Sequence, residues 1–266
     1  FNFYELNRRL LNLAGRPARR LDDAGQRGLL RHVLQQMQAE NALETLADVA
    51  LSPGFVHIIA GFIRELKQNL VTPEQFAGAV RAINAEGGKD RDLTAIYQRY
   101  QDTLHAYQLA DQEGEGWLAL EGLQQGPLPL PVDLLMVDGF DQFTPAQAAL
   151  LAQMSQQVPE AIITLTTVPG REQSVGRRFE RALDRLQAAH EAVGVTLRVE
   201  ALPAPLDEGR SADLMHLEQH ILKPSRDDKR DSLGQVRFLD APEPAEEAAA
   251  ISRRIKRLLL DGTAPD

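Results

Sequence analysis

Asp138 is the carboxylate best placed in this chain to do chemistry. It closes the apolar run Leu134-Leu135-Met136-Val137 and is followed by Gly139-Phe140-Asp141-Gln142-Phe143, then by Thr144-Pro145-Ala146-Gln147. An apolar run that ends in an acid and a glycine, just before a capped helix start, is how a buried parallel strand delivers a carboxylate to a nucleotide-binding crevice. One chemistry the pattern allows is a magnesium-associated aspartate facing a phosphate loop. The other reading is an Asp-Gly turn that closes the strand and does no more. The next position bears on the choice, because a working nucleoside triphosphatase usually needs a second carboxylate there to orient the attacking water. This chain has Gly139 at that position, and no Gly-x-x-x-x-Gly-Lys-Ser/Thr run anywhere.

Other chemistries find less support. A haloacid-type phosphatase needs an aspartate two positions after its nucleophile, where this chain has Phe140. A two-metal nuclease could combine Asp138 with Asp141, but acids separated by a turn need further partners, and no acid-x-lysine strand signature accompanies them. His216-Leu217-Glu218-Gln219-His220 sets two histidines one helical turn apart, a spacing that can hold zinc. The catalytic zinc motif, however, has its glutamate directly after the first histidine, whereas Glu218 points to another face, so surface histidines are the better reading. No serine sits in a nucleophile elbow, and with no cysteine in the chain, disulfides, thiolate metal sites and cysteine nucleophiles are excluded within it.

The elements that must position Asp138 fall into two regimes. Residues 1 to about 125 read as successive helices with apolar residues returning every three to four positions. Leu29, Leu30, Val33, Leu34 and Met37 make one face. Phe55, Ile58, Ile59, Phe62, Ile63 and Leu66 make another after Ser52-Pro53-Gly54. Thr72-Pro73-Glu74-Gln75 and Thr144-Pro145-Ala146-Gln147 are both helix starts in which threonine caps, proline occupies the first turn and glutamine reaches back. Beyond the turn at Ala85-Glu86-Gly87-Gly88-Lys89, residues Leu93, Ile96, Tyr97, Tyr100, Leu104 and Tyr107 trace one helix face. The tyrosines could stack bases, but their interleaving with leucine and isoleucine fits core packing better.

From about residue 126 the pattern changes. Gly126-Pro127-Leu128-Pro129-Leu130-Pro131 cannot be helical. Strands are expected at 134–137, 161–168, 195–201 and 236–239, and helices from Thr144, over 176–192, from Ser211 and over 243–260. Strands alternating with helices imply a parallel α/β sheet. Leu214, Leu217 and Ile221 are expected inward on one late helix, and Ala248, Ile251, Ile255, Leu258 and Leu259 on the other. Pro224 to Ser232 is polar and reads as a mobile crossing.

The 266 residues, 43% hydrophobic and 25% charged, allow one large or two modest domains. No apolar run approaches the ~20 residues needed to span a bilayer, so a soluble, cytoplasmic protein without a membrane partner is expected. The chain starts at Phe1 without an initiator methionine, which suggests a piece of something longer. A net charge of −9 argues against a free-standing module that holds DNA by bulk electrostatics. Three local basic clusters, Arg8/Arg9/Arg16/Arg19/Arg20, Arg177/Arg178/Arg181 and Arg253/Arg254/Lys256/Arg257, read as solvated helix faces.

Taken together, Phe1-Asn2-Phe3-Tyr4-Glu5-Leu6-Asn7-Arg8-Arg9-Leu10-Leu11, Ile96-Tyr97-Gln98-Arg99-Tyr100 through Leu104 to Asp111, Val137-Asp138-Gly139-Phe140-Asp141-Gln142-Phe143-Thr144, and Val236-Arg237-Phe238-Leu239-Asp240-Ala241 with Glu246-Glu247 and Ile251 to Ile255 resemble the AddB (RexB) family. That family supplies one subunit of bacterial AddAB-type helicase-nucleases, relatives of UvrD-type superfamily 1 helicases. The resemblance runs along nearly the whole chain and rests on motif order and spacing, with the segment around Asp138 the most specific.

The resemblance implies an α/β fold: an incomplete RecA-like parallel sheet of P-loop NTPase type with a large all-helical insertion. Residues 1–125 would be the helical region, 126–224 the α/β part of the first motor domain, and 225–266 a linker and the start of a second. Asp138 would be a degenerate Walker B aspartate associated with Mg-ATP, with Asp141 and Gln142 beside it, and Gly139 stands where the catalytic glutamate belongs. Val168-Pro169-Gly170 likewise replaces the sensor of an active motor. The resemblance further implies Mg and ATP for the parent protein, an iron-sulfur cluster in a C-terminal nuclease domain, an AddA-like partner subunit, and DNA bound in the assembled complex. The region itself would be a non-catalytic scaffold that guides DNA while double-strand ends are processed for recombinational repair. An active UvrD-like helicase and a protein-interaction domain without a nucleic-acid role are the alternatives.

Overall fold

The computed structural model describes residues 2–16, 18–83, 87–166, 177–202, 211–221, 231, 233–234 and 236–265, without the side chains of 178, 218 and 219. The elements run α1 (Phe3–Leu13), β1 (Arg19–Arg20), α2 (Asp23–Ala39), α3 (Pro53–Gln68), α4 (Pro73–Ala82), α5 (Gly88–Ala106), β2 (Leu109–Ala110), α6 (Gln112–Gln124), β3 (Leu134–Val137), α7 (Pro145–Ser155), β4 (Glu160–Ile163), α8 (Arg177–Ala192), α9 (Ala212–His220) and α10 (Pro244–Leu260). The fold is mixed α/β and mostly helical, with two small parallel sheets, β1-β2 and β3-β4. Two compact units divide it, residues 1–199 and 200–266.

Local chemistry sets the helix starts. Asn2 accepts from the Glu5 amide at 2.9 Å, Asp22 from Gly25 at 2.7 Å and Ser52 from Phe55 at 3.2 Å. Each such cap contributes about 1 kcal/mol. Both Thr-Pro-x-Gln segments form complete capping boxes, Thr72 with Gln75 and Thr144 with Gln147. The second one fixes the chain direction immediately after the Asp138 loop.

The first unit holds two separate apolar cores. One gathers α2, α3 and α5 through Leu30, Val33, Leu34, Ile63, Tyr97 and Tyr100. The other joins α1, α6, α7 and α8 against β3 through Leu10, Leu11, Leu123, Leu151 and Leu186. Tyr97 and Tyr100 are fully buried, and the Tyr97 hydroxyl donates to the Val71 carbonyl at 2.7 Å, so the tyrosine stripe packs the core. Its last member departs from that pattern: Tyr107 caps the end of α5 and is exposed. Ile58, placed on the α3 core face by periodicity, is also exposed. Asp92 is buried, and its carboxylate accepts the amides of Glu44, Thr45 and Leu46 at 2.9, 2.8 and 2.8 Å, which ties the segment after α2 to α5.

Strands β3 and β4 pair in parallel with Leu134 opposite Glu160 and Val137 opposite Ile163. Their helix-facing side carries Val137 and Ile163 into the α7-α8 core. Leu134 and Met136 on the other face are exposed, so β3 is half-buried where its unbroken apolar run led us to expect burial on both faces. The expected strands at 195–201 and 236–239 do not form. Val199, Leu202 and Phe238 are exposed, and no described strand lies alongside to accept their ladder bonds. A β-branched run becomes a strand only when a neighbour takes its backbone groups.

The second unit has α9, capped by Ser211 and tied by the Leu233 amide donating to Asp213 at 3.0 Å, and α10. Leu214, Leu217 and Ile221 on α9, and Ile251, Ile255, Leu258 and Leu259 on α10, are exposed, contrary to their expected inward placement. Their spacing specifies an apolar stripe, but a stripe is buried only where a second element meets it. Pro224 to Arg230 and Ser232, the expected crossing, lie outside the described residues.

Candidate functional site

Asp138 leaves β3 at its C-terminal end, the edge of a parallel pair where ligands bind in open α/β sheets. The Thr164 amide donates to the Val137 carbonyl at 2.9 Å, extending the ladder by one step, and the Thr164 hydroxyl donates to the Asp138 carboxylate. The carboxylate is exposed. Gly139 follows at φ +79°, in the left-handed region that glycine reaches without strain. The chain turns there, and Phe140 and Phe143 come back onto Phe3 of α1, with centroids 5.2 and 6.3 Å from it in edge-on contacts. Arg185 of α8 donates to the Phe143 carbonyl. Asp138, Asp141 and Gln142 therefore share one loop, pinned by an aromatic cluster beneath it and a capping box after it.

Magnesium takes six oxygen ligands in near-octahedral geometry. Asp138 and Thr164 offer a carboxylate and a hydroxyl already bonded to each other, which fits part of such a site and not the whole. Among the described residues no group of three or more histidines or acids is arranged to hold a metal ion. His216 and His220 stack at 4.2 Å between centroids, and His220 Nδ1 lies 2.8 Å from the His216 carbonyl. That nitrogen therefore donates to the backbone, and both rings are half-buried, not on the surface as the sequence led us to expect. Val168-Pro169-Gly170 lies outside the described residues. In the three basic clusters, every arginine and lysine whose side chain is described is exposed.

A second constellation was not visible in the sequence. A small cleft of about 50 Å³ lies where α1, the end of α3, the start of α6 and the start of α7 meet. Phe3, Tyr4 and Asn7 line it from α1, Lys67 and Gln68 from α3, and Gln147 from α7. Behind it is a buried polar network. Lys67 Nζ donates to Asp111 at 2.7 Å and to Gln101 at 3.3 Å. Asp111 also accepts the Tyr100 hydroxyl at 2.9 Å and caps α6 by accepting the Gly114 amide at 2.7 Å. Trp117 donates its indole N–H to the Lys67 carbonyl at 2.7 Å.

Burial and the Asp111 charge hold the Tyr100 hydroxyl far above its ordinary pKa, so it remains a donor. Burial likewise raises the Glu113 carboxyl, with Asp111 adding to the shift and Arg64 opposing it. Glu115 is raised by burial and pulled back by Arg20 and Arg8. Gly114 leaves room for this network: a Cβ there would sit 2.7 Å from the Asp111 carboxylate and 3.2 Å from Lys67 Nζ. Asn7 on the apolar face of α1 is the one sequence signal that could have pointed to the cleft.

The family described as ADDB, N-terminal, matches residues 1–218. Among curated relatives, the chain is 26% identical over 91% of its length to an ATP-dependent helicase/deoxyribonuclease subunit from Symbiobacterium thermophilum. It is 28% identical over 95% of its length to the protein of the same description from Desulforudis audaxviator. A third such relative, from Moorella thermoacetica, is 28% identical over 97% of the chain. The chain spans only about a fifth of these relatives, 22%, 22% and 23% of their respective lengths.

Proposed function

The chain belongs to the AddB N-terminal family, and on that premise we propose that it is part of a helicase-nuclease subunit, serving there as a degenerate motor scaffold that guides DNA. The observation that carries this reading is Gly139. Gly139 lies in the left-handed region on an exposed turn directly after the Asp138 strand, and by the family resemblance it would stand in the place of the glutamate that positions water. The loop keeps the position of a nucleotide site without the group that makes such a site hydrolyse.

In this proposal β3, β4, α7 and α8 are the surviving part of a RecA-like domain over 126–224. Residues 1–125 are its helical insertion and flanking helices, and 225–266 begin a second motor-like domain. Asp138 would contribute to Mg-ATP binding only together with a phosphate loop, with Asp141 and Gln142 at its margin. The parent would act in the cytoplasm with an AddA-like partner on DNA double-strand ends for recombinational repair. Its iron-sulfur cluster would belong to a nuclease domain outside these residues. Tyr4, exposed at the mouth of the cleft beside α1, would offer a ring on which a single strand can stack.

The test is ATP turnover by the full-length subunit, alone and assembled with its partner, with and without DNA. The scaffold reading expects no turnover that depends on Asp138. DNA-stimulated hydrolysis by the isolated subunit that disappears in Asp138→Ala would overturn it and favour an active UvrD-like helicase. The net charge of −9 favours a second reading, a protein-interaction domain. That reading expects the assembled complex to bind DNA equally well when cleft residues Tyr4 and Gln147 are replaced by alanine.

A further inference from the structure

The first unit is two bodies joined by a polar seam. The α2–α5 lobe has its own apolar core, and α1 with α6–α8 has another. The chain enters the lobe at β1 and leaves it at β2, and these two crossings lie side by side, paired by Arg19 with Leu109 and Arg20 with Ala110. Elsewhere the two bodies meet through Leu70, which packs against the second core, the Trp117 bond to the Lys67 carbonyl, and charge. Two acids around the start of α6 face cations of the lobe, Asp111 with Lys67 at 2.7 Å and Glu113 with Arg64 at 3.5 Å, and Glu115 faces Arg20 of the β1 crossing at 3.9 Å.

Only the first of these pairs is a full hydrogen bond. Among the described residues, the buried side-chain atoms with no hydrogen-bond partner are Asn7 Oδ1, Gln26 Nε2, Arg64 Nε, Glu113 Oε2 and Glu115 Oε2. Gln26 lies beside the Tyr100 hydroxyl within the lobe. Three of the five, Arg64 Nε, Glu113 Oε2 and Glu115 Oε2, belong to the outer charge pairs of the seam. Buried polar atoms left unsatisfied cost stability.

From the adjacent crossings, the charge pairing and the clustering of unsatisfied atoms we infer that the α2–α5 lobe is a hinged body. It rocks about the β1-β2 crossing, and its electrostatic seam against α6 opens and closes as a unit. The cleft straddles this seam, with Lys67 and Gln68 on the lobe side and Asn7 and Gln147 on the other, so opening widens it. A hinge of this kind is a low-stability opening that leaves both cores intact.

Peptide-resolved hydrogen exchange on the full-length protein tests the inference. Salt screens the outer pairs, so raising it should speed exchange about tenfold in 111–118 and, in parallel, in 62–68 of α3, while 145–155 within the α7 core is unchanged. Fraying of α6 alone would move 111–118 and leave 62–68 unaffected, and equal acceleration of all three segments would mean global loosening. Either result overturns the hinge. Glu113→Gln with Glu115→Gln, which removes the outer charges, is the second test. The hinge expects low-salt exchange in both segments to rise to the high-salt level of the unaltered protein, and unchanged exchange rejects it.

Discussion

The Lys67 ammonium and the Asp111 carboxylate, 44 positions apart in the chain, meet at 2.7 Å with both side chains almost wholly removed from solvent. Desolvating two charges is costly, and the pair persists because each partner's remaining capacity is used: Gln101 for the lysine, Tyr100 and the Gly114 amide for the aspartate. Removing one partner strands the other. Lys67→Ala or Asp111→Ala should each destabilise the protein by about 3–5 kcal/mol, while the double apolar replacement Lys67→Met/Asp111→Leu should lose less than the sum of the two, recovering only part because the Tyr100 hydroxyl and the Gly114 amide lose their acceptor. Urea denaturation of the four proteins measures it, and additive single effects would show that the two side chains are not coupled.

Asp92 anchors the segment after α2 by accepting three backbone amides. Asp92→Asn keeps one acceptor oxygen and presents an NH2 group to an amide donor, so it should lose about 1–3 kcal/mol, and Asp92→Ala at least as much. The same denaturation measurement, with hydrogen exchange of residues 44–46 as the local readout, checks this. Unchanged exchange there would place the stabilisation elsewhere.

How much of this was legible in the sequence depended on the range of the interaction. The helices, the two Thr-Pro-x-Gln capping boxes and the strand before Asp138 rest on residues a few positions apart and were readable. What the sequence did not show is long-range. The run 195–201 has strand composition but no neighbour to pair with, and β1 is two arginines that become a strand only because Leu109 and Ala110 lie alongside. Lys67 reads as a solvated helix residue at the end of α3 until the fold brings Asp111 to it. The candidate loop around Asp138 was legible because its residues are contiguous, whereas the cleft collects four separate helices and left only Asn7 as a trace.

His190 is fully buried between α7 and α8. Its Nδ1 lies 2.7 Å from the Leu186 carbonyl and must donate to it, so Nε2 accepts from the Ser155 hydroxyl at 3.1 Å. Acceptance at Nε2 requires the neutral ring; the Nδ1–H bond to Leu186 favours the charged form, but burial outweighs it and lowers the pKa below the ordinary 6.5. The unfolded chain then binds the proton more readily. Stability contributed here is fully present above pH ~6.5, falls as pH drops toward the lowered folded value, and levels off below it. Glu113 and Glu115, whose folded pKa values are raised, act in the opposite sense from their ordinary 4.5 upward, so the histidine is isolated by comparison. The stability difference between the unaltered protein and His190→Leu should shrink as pH falls through that window, and a pH-independent difference would falsify the assignment.

Gly139 supplies the sharpest test of the Asp138 loop. Its φ of +79° sends the chain from β3 back toward the aromatic cluster on Phe3, and nothing lies within 4 Å of a Cβ built on it. Space therefore permits a side chain at this position, and the backbone opposes it: a non-glycine residue in the left-handed region costs about 1–2 kcal/mol. Gly139→Glu would supply the carboxylate that a hydrolysing site carries there, but on a backbone turned for glycine. The expected outcome is a loss of about 1–2 kcal/mol in urea denaturation with ATP turnover still at background, and Gly139→Ala should show a similar loss, because the strain comes from φ and not from the charge. A Gly139→Glu protein that hydrolysed ATP with DNA-stimulated turnover would mean that the loop relaxes into an active geometry, and that one residue separates this scaffold from a motor.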